Sequence, residues 1–433
     1  MSFENSVRDN DLNMDNLRSS HKEKTWIKCT KICLTISGLY YEPLTITKLL
    51  RLVFPVAVFL ITVTESCRQY FHYQPDEMFN MKMLRILVYV SMIQIVLTEI
   101  IFLTSITPKL RQFFHEYNVF YCNYESSVEI TKNDVNDFPF KKKVLCSYLV
   151  LFPLRAFVQV TALYYLAGFQ MWYGDWFLTS EPVVVYLLKP LVSVMLVFFR
   201  LINATAVVFV YILCTIIGHD YDVMTSDANS FLQKLSNEED CTSMIRNFRQ
   251  QFLHLSKLAH DADDICGPLS LTIIVFDIMG LILHVIGFFD MSFFGLSNYM
   301  AVGFVCLSAL VIFINLSHFL HSCLLLHAKA MAIKPMLLFA NIQQTSHDFL
   351  REVTMILHKL THDFIGFTAY GLFNINKAFI VSLVTISMSY VVITVRFTIT
   401  MMRNMQNNDN NFNYSVSTPM TNTVCHCPTT MPA

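Results

Sequence analysis

Apolar residues fall into long blocks, and the polar segments between them hold most of the charge. Seven blocks stand out, at roughly Leu49–Thr64, Met83–Ile106, Val144–Phe169, Val183–Ile217, Leu269–Phe289, Tyr299–Leu326 and Lys377–Met402. A helix that crosses a hydrocarbon core of about 30 Å needs about 20 such residues. Each block therefore predicts a membrane-spanning helix. The first is short unless Leu44–Thr47 extend it inward. The fourth runs 35 residues, roughly 50 Å as a helix. It must project beyond the bilayer or tilt strongly. Two short helices are the alternative, although no charged turn divides the block.

The segments between the blocks are of two kinds. Segments near 170–182 and 290–298 are short, whereas 107–143, 218–268 and 327–376 are long. Two of the long ones carry apolar stripes near heptad spacing. One is Ile245, Phe248, Phe252, Leu255 and Ala259; the other is Phe349, Val353, Ile356, Leu360 and Phe364. Each predicts an amphipathic helix that either packs on the ends of its own bundle or joins two subunits.

Lysine and arginine set the orientation. With the N-terminus inside, twenty-one of the 31 basic residues lie on the cytosolic side, three (Arg68, Lys82, Arg403) outside and seven within spans. This predicts an all-α polytopic membrane protein with seven transmembrane helices, a cytosolic N-terminus and an extracellular C-terminus. No cleavable signal peptide is legible, because Met1–Lys24 is polar and charged, so the first span is expected to act as the membrane signal. The organisation expected is a cytosolic segment 1–43 with a disordered start, a membrane domain 44–403 with cytosolic helical extensions 218–268 and 327–376, and an extracellular disordered tail 404–433. The tail is rich in Asn, Thr and Pro.

Composition sharpens this reading. Of 433 residues 54% are hydrophobic and only 15% charged, against about 25% charged in ordinary soluble domains. Phe (37) and Met (22) are abundant, and the mean hydropathy is +0.46. A cytosolic enzyme, a disordered chain and a disulfide scaffold all fit poorly. A net charge of −1 gives no basic footprint for nucleic acid. Most of the twelve Cys fall in spans or inside, where they stay reduced; Cys67, Cys425 and Cys427 would face outward.

No nucleotide-binding or catalytic signature is present, and no cofactor or metal is implied. His358 and His362, at i and i+4, lack a third ligand beside them and read as a surface pair. His318 and His321 read as interhelical hydrogen-bonding groups or as the lining of a wet cavity. Asn413-Tyr414-Ser415 is an accessible glycosylation sequon on the outer side.

Charges at bilayer depth are costly and mark candidate functional sites. Arg155, Lys189, Arg200, Asp277 and Arg396 qualify. Arg200 and Asp277 could pair between helices or line a water-filled cavity. The outward half of the bundle is aromatic and partly polar, with Gln159, Tyr164, Tyr165, Trp172, Tyr173, Asp175, Trp176, His284, Asp290 and Tyr299. Such walls describe a small-molecule pocket. An interfacial aromatic belt explains Trp172, Tyr173 and Trp176 equally well.

The most specific string lies in the seventh block. Ser389-Tyr390-Val391-Val392-Ile393-Thr394-Val395-Arg396-Phe397 resembles the insect gustatory receptor signature, Thr-Tyr, five hydrophobics, then Gln-Phe. Upstream, Phe367-Thr368-Ala369 with Gly371, Phe373, Ile375 and Asn376 is similar to the run that leads into the family's last helix. The resemblance implies a ligand-gated cation channel in the plasma membrane of chemosensory neuron dendrites, opened by a small tastant. It implies a homo- or hetero-tetramer whose four last helices line one pore, an outward-opening ligand pocket in each subunit, and cytosolic helices that anchor the subunits together. Tyr390 and Phe397 match the aromatic positions, and Ile393 matches a hydrophobic gate that would close by dewetting. Ser389, Ile393 and Arg396 share one helical face.

Arg396 stands where the signature has Gln, and four guanidinium groups around a pore would repel cations. It could snorkel outward, the homomer could conduct poorly, or the pore could mix this chain with Gln-bearing subunits, which is the reading taken. A bitter-type ligand is taken over a sugar, because the spans are rich in Phe and Met. The competing readings are a non-channel receptor coupled to G protein, which needs an outside N-terminus, and a secondary transporter, for which no internal repeat is evident.

Overall fold

The computed structural model describes residues 93–127, 182–233, 238–293, 299–343 and 347–416, with Ile27, Thr30, Lys31, Leu34 and Val90 beside them. The spans expected at Leu49–Thr64 and Val144–Phe169 lie outside the described residues, as does most of the first half of Met83–Ile106.

The described chain is helical apart from one small hairpin. Helix α1 covers residues 93–127 and contains a π-helical turn at Phe102–Ile106. Then come α2 (Pro182–Gln233), α3 (Glu238–Phe293), α4 (Tyr299–Met331), α5 (Ile333–Gln343) and α6 (His347–His362). Strands β1 (Thr368–Ala369) and β2 (Phe373–Asn374) pair antiparallel, with Ala369 opposite Phe373. The last helix, α7, is Lys377–Val416. Five stretches among the described residues are long and apolar enough to cross a membrane: Ile93–Phe120, Ile202–Asn229, Thr242–Phe288, Cys306–Phe339 and Lys377–Phe397.

The fourth apolar block is one helix, not two. α2 continues past Ile217 through polar residues for 52 in all, roughly 78 Å, so it extends well beyond a bilayer. α3 likewise fuses the stripe at 244–259 with the block Leu269–Phe289 into 56 residues. Pro268 sits at the seam. Its ring nitrogen has no hydrogen to give to the Asp264 carbonyl, so the helix is weakest there.

The core forms where α2, α3 and α4 pack together, with α1 laid against α3. Ile202, Ala206, Phe209, Leu213 and Ile217 of α2 are buried at helical spacing, as are Phe319, Cys323, Leu326 and Ala330 of α4. Phe102 of α1 meets Phe209 of α2 with ring centroids 5.7 Å apart. Ile27 and Leu34 are buried in the same core, and the Lys31 ammonium lies 5.7 Å from the Phe114 ring centroid.

The two amphipathic stripes bury each other within one chain. Phe349, Val353, Ile356 and Leu360 of α6 are fully buried, and so are Ile245, Phe252, Leu255 and Ala259 of α3, against which α6 packs. Each of the Phe, Val, Ile and Leu side chains contributes about 1.5–3 kcal/mol. Of the two readings of the 349–364 stripe, packing on its own bundle is the one this burial fits for residues 349–360, which α3 of the same chain covers. Phe364 is half-buried and stacks on His327 at 4.8 Å.

Ion pairs join the helices at this polar end of the bundle. Glu116 of α1 accepts from Lys257 of α3 at 3.0 Å, and Tyr117 donates to Asp220 of α2. Asp222 of α2 pairs with Lys329 of α4. Arg249 of α3 lies 2.7 Å from Glu352 of α6. Within α6 and its end, Lys359 donates to Asp363 at 2.8 Å, which holds the Asp363 carboxyl below its usual range.

α7 ends later than the hydropathy predicts. It runs through the Asn-rich segment to Val416 instead of stopping at Met402. No glycine or proline interrupts residues 403–416, and Pro419 lies just beyond.

Candidate functional site

The approach to α7 is built from short polar bonds. The hairpin turns through Tyr370 and Gly371, with φ of 56° and 68°, and Leu372 N donates to Ala369 O at 3.1 Å. Ile375 N then donates to Phe367 O at 3.1 Å. Asn376 caps α7: its Oδ1 accepts from Phe379 N at 2.9 Å. Ile365, Phe367, Ala369 and Ile375 anchor the segment in the core.

Among the described residues, α7 packs on its own chain along one edge. Ile380, Leu383, Ser387, Val391 and Thr394 are half-buried, at the spacing of a single helical face, and α3 is the helix it meets. Ser389, Ile393 and Arg396 are exposed. At 100° per residue they centre roughly 150° around the helix from the packed edge. Ile393 is 63% exposed, and Tyr390 and Phe397 nearly as much. Over Lys377–Phe397 no residue of the most apolar stretch is buried. Hydroxyls on α7 satisfy themselves on the preceding turn: Thr385 donates to Val381 O, Ser389 to Thr385 O and Thr394 to Tyr390 O, each at 2.8 Å.

A second polar region lies deep in the bundle. Gln94 Nε2 donates to Asp277 Oδ1 at 3.1 Å. Thr98 Oγ1 bonds to Gln94 O at 2.8 Å and reaches Asn203 Oδ1 at 3.5 Å. Asp277, for which a pair with Arg200 and the lining of a water-filled cavity are both open from the sequence, accepts from Gln94 of α1; the Arg200 side chain lies outside the described residues. Among the described residues, the buried Glu99 Oε1 and Asn203 Nδ2 have no hydrogen-bond partner.

Of the expected pocket, His284 is the side chain that is described. Its Nδ1 donates to Gly280 O at 2.6 Å, so Nε2 of the neutral ring accepts from Ser308 Oγ at 2.8 Å. That pins α3 to α4. Asp290 lies near the end of α3 and Tyr299 begins α4, but their side chains are outside the described residues. Gln159, Tyr164, Tyr165, Trp172, Trp176 and Arg155 are outside them too. Asn413 falls on the last turns of α7. The His318 ring lies tilted against Tyr211 of α2, with centroids 4.5 Å apart, and the His358 and His362 rings lie 4.3 Å apart.

Sequence reasoning missed the bond between Asp263 and Thr368. The Asp263 carboxylate accepts from Thr368 N at 2.6 Å and from Thr368 Oγ1 at 2.8 Å. The one legible hint is an Asp four residues before a Gly-Pro pair inside a helical pattern. Its partner, 105 residues away, is not readable from spacing.

Comparison with known proteins adds to these observations. The profile described as 7tm chemosensory receptor matches residues 40–401. The insect olfactory receptor OR5 from Machilis hrabei, in complex with eugenol, shares the fold at 13% identity and a TM-score of 0.60, covering 87% of this chain and 98% of that one. A second structure of OR5 from Machilis hrabei, also 13% identical, gives a TM-score of 0.63 and covers 85% of this chain and 97% of that one. No curated protein matches the sequence significantly. With its family profile spanning most of the chain, and with long apolar helices at the matched positions, the protein belongs to the 7tm chemosensory receptor family.

Proposed function

We propose that the protein is a gustatory receptor subunit, a ligand-gated cation channel opened by a small, mainly apolar tastant of the bitter type. It assembles with three further subunits, and four copies of α7 surround one pore. The observation that carries the reading is α7 itself. This helix is apolar enough to span a membrane, yet no residue of its most apolar stretch is buried in its own chain. A spanning helix packed along one edge has its other faces free for lipid and for other copies of itself. Ser389, Ile393 and Arg396 lie away from the packed edge, where a central axis would be. Ile393 then serves as the dewetting gate and Arg396 as a polar ring, with Tyr390 and Phe397 between neighbouring subunits.

In this reading seven helices span the plasma membrane, the polar end of the bundle is cytosolic and the C-terminus is extracellular. The ligand pocket opens outward between the spans, among Gln159, Tyr164, Tyr165, Trp172, Trp176, His284, Asp290 and Tyr299. Ligand shifts the equilibrium by binding the open state more tightly than the closed one.

Expression in a non-sensory cell line, alone and with Gln-bearing subunits, tests this. Tags at each terminus report orientation in intact cells. Eugenol, quinine and sucrose serve as probes under current recording. A probe-evoked cation current with an inside N-terminus is expected. An outside N-terminus, or saturable probe uptake without current, would sink the reading.

A further inference from the structure

The junction between α3 and α7 carries an arrangement that channel opening in general does not require. Three features of α3 meet the hairpin at one place. Asp263 is buried (7% exposed) and holds Thr368 by two hydrogen bonds. Gly267, one turn on, lets the hairpin backbone close in: a Cβ there would stand 3.2 Å from Tyr370 Cα and 3.4 Å from Tyr370 N. Pro268 follows, and it removes a backbone hydrogen bond from α3 at that level. The hairpin therefore docks where the long helix is least constrained.

The hairpin side is tightly specified. Thr368 Oγ1 donates to Asp263 and also accepts from Gly371 N at 2.9 Å, so one hydroxyl ties the turn to the carboxylate. Tyr370 holds a left-handed φ of 56°, a conformation that bulky residues avoid unless their surroundings over-determine it. Gly267 supplies that surrounding contact. From Ile375 the chain enters α7 within two residues, through the Asn376 cap. The upper half of α3 accepts bonds from Gln94 and from Ser308, so one continuous helix links the interior of the bundle to the root of α7.

We propose that Asp263 is a positioning residue for gating: by clasping Thr368 beside the Pro268 weak point, it transmits movement of the upper half of α3 to the base of α7. The inference rests on the channel reading above. The bidentate clasp moves as a unit with α3, and α7 follows through a hairpin that has no slack. Without the clasp the pore itself is unaltered, but opening no longer tracks the bundle.

The test compares Asp263→Asn, Thr368→Val, Thr368→Ser and the Asp263→Asn/Thr368→Val double variant in the full chain. Surface abundance is measured by biotinylation, with resting and evoked currents recorded under eugenol, quinine and sucrose. Asp263→Asn and Thr368→Val are expected to change the ratio of evoked to resting open probability about fivefold or more. Single-channel conductance and reversal potential stay as in the wild type. Thr368→Ser keeps the hydroxyl and behaves as wild type, and the double variant is no worse than the stronger single one. If Asp263→Asn fails to reach the surface, Thr368→Val decides by the same ratio. Variants that gate like the wild type overturn the inference and leave the channel reading standing. So do variants that change conductance, or a Thr368→Ser as defective as Thr368→Val, or loss of all variants from the surface. A wild type with no resting or evoked current overturns the channel reading and this inference with it.

Discussion

Arg249 Nε lies 2.7 Å from Glu352 Oε2, and Arg246 Nε approaches the other oxygen of the same carboxylate at 3.7 Å. The pair crosses from α3 to α6 at the edge of the apolar seam, where Glu352 is almost fully buried. Removing the carboxylate by Glu352→Leu strands Arg249 and is expected to destabilise by about 2 kcal/mol, less than a fully buried pair would cost. The double variant Arg249→Met/Glu352→Leu should recover most of it. Thermal unfolding of the detergent-solubilised protein checks this, and additive losses in the double variant would show that the pair has no coupling.

Gly267 and Gly287 lie on the same helix but in different surroundings. At Gly287 a Cβ meets nothing within 4 Å, whereas at Gly267 it meets the Tyr370 backbone at 3.2 Å. Gly287→Ala should therefore gain up to about 1 kcal/mol of helix propensity. Gly267→Ala should lose that gain and more, because backbone must move. Melting temperatures of the two variants should split in opposite directions around the wild type. Equal shifts would mean the hairpin is not docked on α3 as described.

The parts of this architecture that were legible in the sequence are those that repeat along the chain. Blocks of apolar residues and the spacing of Phe349, Val353, Ile356 and Leu360 mark helices whichever partner they meet. What covers a stripe is another matter. The stripes at 244–259 and 349–360 both called for an apolar partner, and only three-dimensional proximity shows that each is the other's. The polar partners were hardest to foresee. Asp277 was singled out for its depth, yet Gln94, a neutral residue in a hydrophobic block, is the donor found on it. Arg200 and Asp277 are both charges at bilayer depth in the sequence, while hydrogen bonding inside a bundle is decided by which side chains share a level. Thr368 was legible only as part of a family string, and its carboxylate partner was not legible at all.

Gln94 and Asp277 yield a prediction of their own. Gln94→Leu removes a donor from a carboxylate that is nine-tenths buried or more, at a cost of about 1–3 kcal/mol. Gln94→Glu places a second carboxyl against Asp277 and should cost more than Gln94→Leu, because a like charge replaces a neutral donor. Surface abundance and unfolding temperature of the two variants measure this. A Gln94→Glu no worse than Gln94→Leu would argue that the two side chains are not in contact.

Arg396 is the residue on which the proposed pore is most exposed to disproof. It lies nineteen positions beyond Lys377 on a continuous helix, a rise of roughly 29 Å, about one hydrocarbon thickness. In the proposed pore, with Lys377 taken at the inner boundary, Arg396 would stand at the outer mouth, where water can screen it. Four guanidinium groups there oppose cation entry without closing the pore, and their effect must fall as salt rises, because the Debye length shrinks from about 10 Å at 0.1 M to about 3 Å at 1 M. Arg396→Gln in the homomer is therefore expected to raise cation conductance several-fold in dilute salt and far less in concentrated salt, with the reversal potential moving toward the cation value. In assemblies diluted with Gln-bearing subunits the same substitution should matter less, since fewer charges are removed. A substitution that leaves conductance and selectivity unchanged at every salt concentration would place Arg396 away from the ion path. The ring would then have to be sought on another face of α7, most plainly the one carrying Tyr390 and Phe397.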